Sequence, residues 1–115
     1  MNRLQDKVTL ITGAAHGAVT AQSVFATHAG RLPDGLALDA AGNVYVACYA
    51  SDDLHRVTPA GNVGRFAQDP WAIKLSRPTN LAFREGHVYV ANLGRQTITR
   101  ARVDVVGQPL ANVRR

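Results

Sequence analysis

Cysteine and long apolar runs are scarce in this sequence. Its 115 residues include one cysteine, Cys48, so neither an internal disulfide framework nor a four-cysteine zinc cluster is possible. No apolar stretch approaches the roughly 18 residues that a membrane-spanning helix requires. The N-terminus also lacks the uninterrupted apolar segment and small-residue cleavage site of a secretory signal. These absences predict a cytoplasmic protein that has no membrane partner.

The charge is basic overall but unevenly distributed. The formal net charge is +5; residues 1–73 carry five basic and six acidic groups, whereas residues 74–115 carry eight basic and two acidic groups. A nucleic-acid-binding surface would cluster basic residues on one face and interleave aromatic ones. Here Arg95, Arg100 and Arg102 are spread along a predicted strand whose nearby aromatic residue is Tyr89. This pattern is typical of a solvated strand face, and we expect no nucleic-acid partner.

The first twenty residues follow a different pattern from the rest. Lys7–Thr12 is a compact, β-branched run that ends at a turn containing Gly13 and Gly17, after which Ala18–Gln22 can form a helical turn. A strand that runs into a glycine-containing turn before a helix opens a βα unit, where backbone amides and the helix dipole can bind a phosphate. We therefore predict a short βα-like leader over residues 1–21 and a separate segment over residues 22–115.

From residue 23 onward, short apolar runs alternate with turns. Glycine and asparagine in the turns at 40–43 and 59–62 supply the positive-φ positions that tight hairpins need. The segment at 68–78 is a longer loop, and we expect its Trp71 side chain to cap the core rather than line a pocket. The predicted strands of this part are Ser23–Thr27, Leu36–Asp39, Val44–Cys48, Leu54–Val57 and Val63–Ala67.

An internal repeat organises this second segment. Leu36–Cys48 recurs as Leu81–Asn92, at a spacing of 45 positions at its start and 44 near its end, and Pro33 and Pro78 precede the two copies. A repeat of about 40–45 residues holding several hairpin-linked strands is typical of a β-propeller blade, although two copies also fit a sandwich. We predict an all-β fold, a partial β-propeller of about two four-stranded antiparallel blades. A partial ring should expose blade faces and edges through which the chain self-associates.

Two stretches carry a resemblance to a known family. The sequence LPDGLALDAAGNVYVACY at 32–49 resembles a blade of the gluconolactonase / senescence-marker-protein family. RPTNLAF at 77–83 and VYVANLGR at 88–95 are similar to the final part of the same propeller. The resemblance covers residues 22–110. It implies a fragment of a six-bladed propeller that hydrolyses sugar lactones with a divalent metal, calcium or zinc, in its central channel.

The resemblance also implies a role for one acidic residue. In that family the aspartate of the Pro-Asp-Gly motif is a metal ligand and a general base, and in this sequence it is Asp34. A carboxylate at this place can bind a hard cation. The metal would polarise the lactone carbonyl while the carboxylate helps to activate water. From residue types alone, Asp34 can instead simply start a Pro-Asp-Gly turn.

The family's other metal ligands have no match in this chain. The family takes a glutamate from early in its propeller and asparagines from intermediate blades, but the one glutamate here, Glu85, lies in a turn of the second repeat. Thr79 and Asn80 are the repeat equivalents of the Asp-Gly pair and can edge the channel mouth, but no ligand role carries over to them. We therefore expect an incomplete site and an isolated chain that is inactive.

Several other polar residues have structural interpretations. Asp39 is predicted to be a hairpin residue that accepts hydrogen bonds from its own backbone. Cys48 lies in a predicted buried strand and is expected to be a small core residue rather than a nucleophile. His55 and His87 lie on separate hairpins, and neither has metal-ligand spacing to a carboxylate, so we expect them at the surface or in the core.

The leader resembles a second family. DKVTLITGAAHG at 6–17 resembles the opening of a short-chain dehydrogenase/reductase, which binds NAD(P) at such a turn, and the resemblance covers residues 1–19. Val19 stands where that family has its third glycine, and its β-branched side chain would obstruct the pyrophosphate. No tyrosine is followed four positions later by the lysine of the family's catalytic pair. An NAD(P)-binding oxidoreductase fragment is one alternative function, and a non-catalytic propeller interaction module is another.

Overall fold

The computed structural model describes residues 7–12, 21–27 and 31–109, and every regular element among them is a β-strand. Alternating apolar residues and tight turns of glycine and asparagine favour short antiparallel strands of this kind. No helix in the described part of the chain is long and apolar enough to cross a lipid bilayer. The strands are β1 Lys7–Thr12, β2 Ala21–Thr27, β3 Pro33–Leu38, β4 Val44–Cys48, β5 Asp53–Val57, β6 Val63–Gln68, β7 Pro78–Arg84, β8 His87–Asn92 and β9 Thr97–Arg102.

The strands form three antiparallel sheets in simple chain order. β1 and β2 make a two-stranded hairpin, β3–β4–β5–β6 make a four-stranded sheet (blade 1), and β7–β8–β9 make a three-stranded sheet (blade 2). This architecture confirms the predicted all-β partial propeller. Blade 2 has three strands rather than the four expected, because the residues that follow β9 turn away from it.

The two blades repeat each other down to the backbone. The residue before each first strand has a positive φ, 51° at Leu32 and 49° at Arg77, and so does the residue near the start of each third strand, 51° at Asp52 and 52° at Gln96. The carbonyl of Leu32 accepts a hydrogen bond from the residue that follows β4, at 3.0 Å, and the carbonyl of Arg77 accepts the equivalent bond after β8, at 3.1 Å. The internal repeat read from the sequence is therefore a structural repeat.

One turn accounts for the change in repeat spacing from 45 to 44. In blade 1 the β3–β4 turn is built around Asp39, whose Oδ1 accepts hydrogen bonds from the amides of Ala41 and Asn43, both at 2.9 Å. In blade 2 the β7–β8 turn is a residue shorter and uses positive φ at Glu85 and Gly86. The prediction that Asp39 bonds its own hairpin backbone is confirmed.

Two apolar clusters lie on opposite faces of blade 1, because side chains alternate along each strand. One face packs against the β1–β2 hairpin, and its buried residues are Ala26, Val44, Val46, Cys48 and Val57. The other face packs against blade 2. Its buried residues are Tyr45, Ala47, Leu54, Leu75, Leu81, Val88 and Val90, and the ring of Tyr45 meets Phe66 and Phe83 edge-on at centroid distances of 5.2 and 4.9 Å. Blade 1 is thus the middle layer, and the prediction of Cys48 as a buried core residue is confirmed.

The segment after β9 returns to blade 1. The amide of Ala40 donates to the carbonyl of Val106 at 2.7 Å, and the amide of Gln108 donates to the carbonyl of Leu38 at 2.9 Å. Gly107 lies against Phe83 so closely that an added Cβ would sit 2.5 Å from the Cβ of that phenylalanine. Residues 105–108 therefore occupy the end of the free edge of β3 instead of adding a fourth strand to blade 2.

The expected βα-like leader is wrong for the residues described. β1 pairs antiparallel with β2, and Ala21 and Gln22, expected in a helical turn, are strand residues paired with Thr12 and Ile11. The β-prone run that follows Gln22 continues β2, and β2 pairs with β1 in one hairpin. The strand β1 therefore has a strand partner rather than a following helix. Residues 13–20, which include Gly13, Gly17 and Val19, lie outside the described part. The division into segments 1–21 and 22–115 stays a prediction.

The expected core position of Trp71 is also wrong, since 78% of its surface is exposed. The loop that carries it winds around the carboxylate of Asp69, which accepts backbone hydrogen bonds from Trp71 at 3.2 Å, Ile73 at 2.8 Å, Lys74 at 2.5 Å and Leu75 at 3.0 Å. This winding brings Leu75 into the interior and leaves Trp71 in solvent.

Candidate functional site

Asp34 lies near the start of β3, at the junction between the two blades. Its side chain is exposed. The pairing of β3 with β4 is irregular between Pro33 and Leu36, so Asp34 and Gly35 lie in the irregular part of the ladder. Asp34, the metal ligand expected from the sequence, therefore has no regular cross-strand partner in β4.

Gly35 lets the first strands of the two blades approach each other closely. A Cβ at this position would lie 2.6 Å from both the Cα and the Oδ1 of Asn80, and it would also overlap the carbonyl of Thr79. The hydroxyl of Thr79 donates to the Ala91 carbonyl at 3.3 Å, whereas the side chain of Asn80 is exposed. Asn80 is therefore the residue of β7 that lies beside the Asp34–Gly35 pair with an exposed amide oxygen.

A second pair of residues joins the blades at this end of the strands. The guanidinium of Arg77 lies 5.3 Å from the ring centroid of Tyr49, and its Nη1 donates to the tyrosine hydroxyl at 3.2 Å. The amide of Arg77 donates to Asp52 Oδ1 at 2.6 Å. Because Tyr49 follows β4 directly, these contacts flank the end of β3 that carries Asp34.

The described residues supply only part of a hard-cation site at Asp34. Calcium takes about six to eight oxygen ligands. No group of three clustered histidine, cysteine or acidic side chains within the described residues includes Asp34. Glu85 follows the far end of β7 and is 82% exposed, and a strand of seven residues separates the two ends by roughly 20 Å. Asp34 can therefore contribute one carboxylate to such a site, but the described residues do not complete it.

A different group of metal-binding side chains is buried in blade 1. The Sγ of Cys48, a carboxylate oxygen of Asp53 and a ring nitrogen of His55 all lie within 4.8 Å of one another. His55 Nε2 is 3.1 Å from Asp53 Oδ2, and the half-exposed Arg65 places its Nε 3.3 Å from the same oxygen. Ser51 donates to Asp53 Oδ1 at 2.6 Å.

The expectation that no histidine has metal-ligand spacing to a carboxylate is therefore wrong, although His55 is buried as one of the expected positions allowed. Cys48 and Asp53 are cross-strand partners, and His55 lies two residues further along β5 on the same face. Strand alternation would place Asp53 and His55 together from sequence alone, but their meeting with Cys48 depends on the register that the 49–52 turn sets. His87 lies apart, with its Nδ1 3.0 Å from the carbonyl of Glu85.

Asp39 and Asp69 also have lowered pKa values, but both carboxylates stabilise turns or loops. Burial raises the pKa of Asp39, but hydrogen bonds from Asn43, Ala41 and Tyr45 outweigh that effect and leave the pKa below its usual value of 3.8. The pKa of Asp69 is lowered because the amides of its loop, led by those of Leu75 and Lys74, donate to the carboxylate. Both carboxylates already accept several hydrogen bonds that hold their own turn or loop, so we assign neither of them a catalytic or metal-binding role.

Asp34 lines neither of two well-formed clefts on the described part of the chain. One has a volume of about 370 Å³ and lies between the blades, and the other has a volume of about 350 Å³ and lies under the returning segment. The first is lined by Leu54, Ala67, Gln68, Asp69, Ile73, Lys74, Leu75, Val90, Thr99 and Ala101. Its lining is mostly apolar.

The repeated blades, whose first strands approach each other closely at Gly35, define this chain as part of a β-propeller. The chain belongs to the SMP-30/Gluconolactonase/LRE-like region family, whose sequence profile matches residues 4–94. The family that we inferred from the sequence at residues 32–49 is therefore confirmed. The short-chain dehydrogenase/reductase resemblance of residues 1–19 is not supported, and the family match runs through most of that stretch.

The fold is similar to that of a solved protein roughly twice as long. A crystal structure of a protein of unknown function from Bacteroides caccae matches with a TM-score of 0.54 and 21% sequence identity. The match covers 90% of this chain and 45% of that one, so the chain spans less than half the length of this relative. At this level of identity the similarity shows the fold alone. No curated protein sequence matches the chain significantly.

Proposed function

We propose that this chain supplies Asp34 to a metal-dependent site that hydrolyses sugar lactones, as in gluconolactonase. Membership of the SMP-30/Gluconolactonase/LRE-like region family supports this proposal. The observation that carries it is the exposed Asp34 carboxylate, which precedes the Gly35 contact between the two blades. The other ligands would come from blades beyond those described, so the chain alone is inactive. A cytoplasmic location stays a prediction from the sequence.

The chemistry assigned to Asp34 follows from its carboxylate. An ionised aspartate can hold a divalent cation, calcium or zinc, and such a cation polarises an ester carbonyl when it is bound. The same carboxylate can accept a proton from the water that attacks the lactone carbonyl carbon. The ring C–O bond then breaks, and the released alkoxide takes up a proton to give the open hydroxy acid.

Calcium titration of the isolated chain tests this assignment. We expect weak calcium binding that is lost in Asp34→Asn and retained in Asp104→Asn, which removes another exposed carboxylate far along the chain. Calcium is the suitable probe because it avoids thiolate ligands, so Cys48 does not contribute. Equal calcium affinity of the wild type and Asp34→Asn would refute the role of Asp34. Gluconolactone hydrolysis by the isolated chain would refute the expected lack of activity.

A second candidate function, an interaction module, is favoured by a duplicated surface. Blade 2 presents Ala82, Tyr89, Ala91 and Ile98, which are the repeat equivalents of the blade 1 residues Ala37, Tyr45, Ala47 and Leu54. The blade 1 set is covered by blade 2, and Leu54 is 1% exposed, whereas Ile98 is 73% exposed. We propose that a second copy of this chain packs on this open face, as blade 2 packs on blade 1.

Measurement of the molar mass in solution tests this packing. Ile98→Arg should weaken self-association because it places a charge in the centre of the face, whereas Ala60→Arg, in the exposed β5–β6 turn, should not. A monomer at all concentrations, or equal association of both variants, would refute the interface.

A further inference from the structure

The buried Cys48–Asp53–His55 cluster combines a sulfur, a carboxylate and an imidazole. These three residues are 0%, 1% and 7% exposed, which is unusual for an aspartate and a histidine side by side. Sulfur and imidazole donors favour zinc and its analogues over calcium or magnesium. The composition of the cluster therefore differs from that of the oxygen-based site proposed at Asp34.

The imidazole of His55 is not fully hydrogen-bonded in its buried position. Within the described residues, the buried side-chain atom that lacks a hydrogen-bond partner is His55 Nδ1. Its other nitrogen, Nε2, is 3.1 Å from Asp53 Oδ2. The Nε2 edge of the ring therefore faces the carboxylate of the cluster, and buried polar atoms without partners, such as Nδ1, are rare.

Blade 2 provides an internal comparison for the cluster. The equivalent positions carry Asn92, Thr97 and Thr99, and the Asn92 amide donates to the Thr99 hydroxyl at 2.8 Å and to the Thr97 hydroxyl at 3.5 Å. At these positions blade 2 therefore carries neutral side chains, which form hydrogen bonds with one another and with nearby backbone. At these positions blade 1 carries three metal-binding side chains, and one of its ring nitrogens is left unpartnered.

We propose that Cys48, Asp53 and His55 bind one zinc-like divalent cation, with water as the remaining ligand. Tetrahedral zinc with bonds of about 2.0–2.3 Å places its ligand atoms about 3.3–3.8 Å apart. Atoms that already lie within 4.8 Å must therefore draw together by roughly 1 Å. The Cys48 thiol releases its proton to solvent on binding, and the thiolate and carboxylate then balance the charge of the cation.

The cation can reach the cluster past Arg65. This residue lies on β6, the outer strand of blade 1, and its side chain is 54% exposed. Its Nε lies 3.3 Å from Asp53 Oδ2, so movement of the guanidinium into solvent frees that oxygen and opens a path to the buried ligands.

Cobalt titration of the whole chain tests the site directly. Cobalt bound to a thiolate gives a sulfur-to-metal charge-transfer band in the near ultraviolet, and Cys48 is the one cysteine of the chain. We expect this band to appear at one equivalent of cobalt and to disappear when zinc is added. Cobalt bound at Asp34 does not produce it, so failure here is distinguishable from failure of the lactonase proposal. Absence of the band at saturating cobalt overturns the inference.

Variants of the cluster distinguish a metal-binding role of its residues from a purely structural one. His55→Gln should weaken cobalt binding more than about 100-fold, since even outer partners of metal ligands are worth about 10- to 100-fold. The matched control His87→Gln should leave the affinity unchanged. The triple variant C48N/D53T/H55T adopts the residue set of blade 2 and should fold without the band. Unchanged affinity in His55→Gln overturns the inference.

Discussion

The hydroxyl of Tyr45 donates to the Oδ2 of Asp39 at 3.3 Å, although the ring itself lies in the apolar interface between the blades. One side chain thus joins the β3–β4 turn to blade 2. Burial raises the pKa of Tyr45, which keeps the phenol protonated and able to donate this bond.

Removal of that hydroxyl should cost a modest part of the stability. We expect Tyr45→Phe to lower the free energy of unfolding by about 1 kcal/mol, because one buried hydrogen bond is lost while the ring contacts remain. Tyr45→Ala should cost about 3–5 kcal/mol, because the interface loses its central ring. Urea denaturation measures both values. Tyr89→Phe, at the equivalent position on the open face, is the control, and an equal loss there would contradict the argument.

The approach of the two blades at Gly35 should not tolerate a side chain. Gly35→Ala places a Cβ against the backbone of Thr79 and Asn80, and we expect a loss of about 1–3 kcal/mol from overpacking. Gly64→Ala is the matched control, because an added Cβ there meets nothing within 4 Å. Thermal unfolding of the two variants tests the contact. Equal melting temperatures would show that the first strands of the blades are not in contact at this place.

Stability should fall in acid through Asp39. The pKa of this residue in the folded protein lies below 3.8, its usual value, so its stabilising effect is fully present above about pH 4. The effect is lost as the pH falls through the lowered folded-state pKa. Asp39→Asn should be less stable than the wild type at neutral pH, and the difference should shrink in acid. Denaturation curves recorded between about pH 7 and about pH 2, where carboxylates titrate, measure this difference in stability. A difference that does not depend on pH would contradict the assignment.

The loop that winds around Asp69 should open when its carboxylate is removed. In Asp69→Ala, four backbone amides lose their shared acceptor, and we expect faster hydrogen exchange at Ile73, Lys74 and Leu75. Because hydrogen bonding lowers the pKa of Asp69, the wild-type loop should also loosen as the pH falls through that lowered value. Unchanged exchange rates in the variant would show that the loop is held by other contacts.

Local chemistry made much of the fold predictable from the sequence. Strand alternation around Val44–Cys48 and the Asp39 turn each depend on neighbours within a few residues, and the recurrence at Leu81 repeats the same local pattern. The meeting of His55 with Cys48 depends on register across a turn, and the exposure of Trp71 depends on backbone bonds to Asp69. These features require three-dimensional placement that residue types do not specify.

The return of the chain to β3 has a consequence for the order of folding. Asp39 pairs with Gly107 across most of the length of the chain, whereas the hairpins of both blades close over a few residues. Short loops close at a smaller entropic cost than long ones, so we expect the meanders to form before this distant contact does. We therefore expect the Ala40 amide, which donates to the Val106 carbonyl, to become protected from exchange late in refolding. Its protection in a quenched-flow experiment would report when residues 105–108 dock on β3.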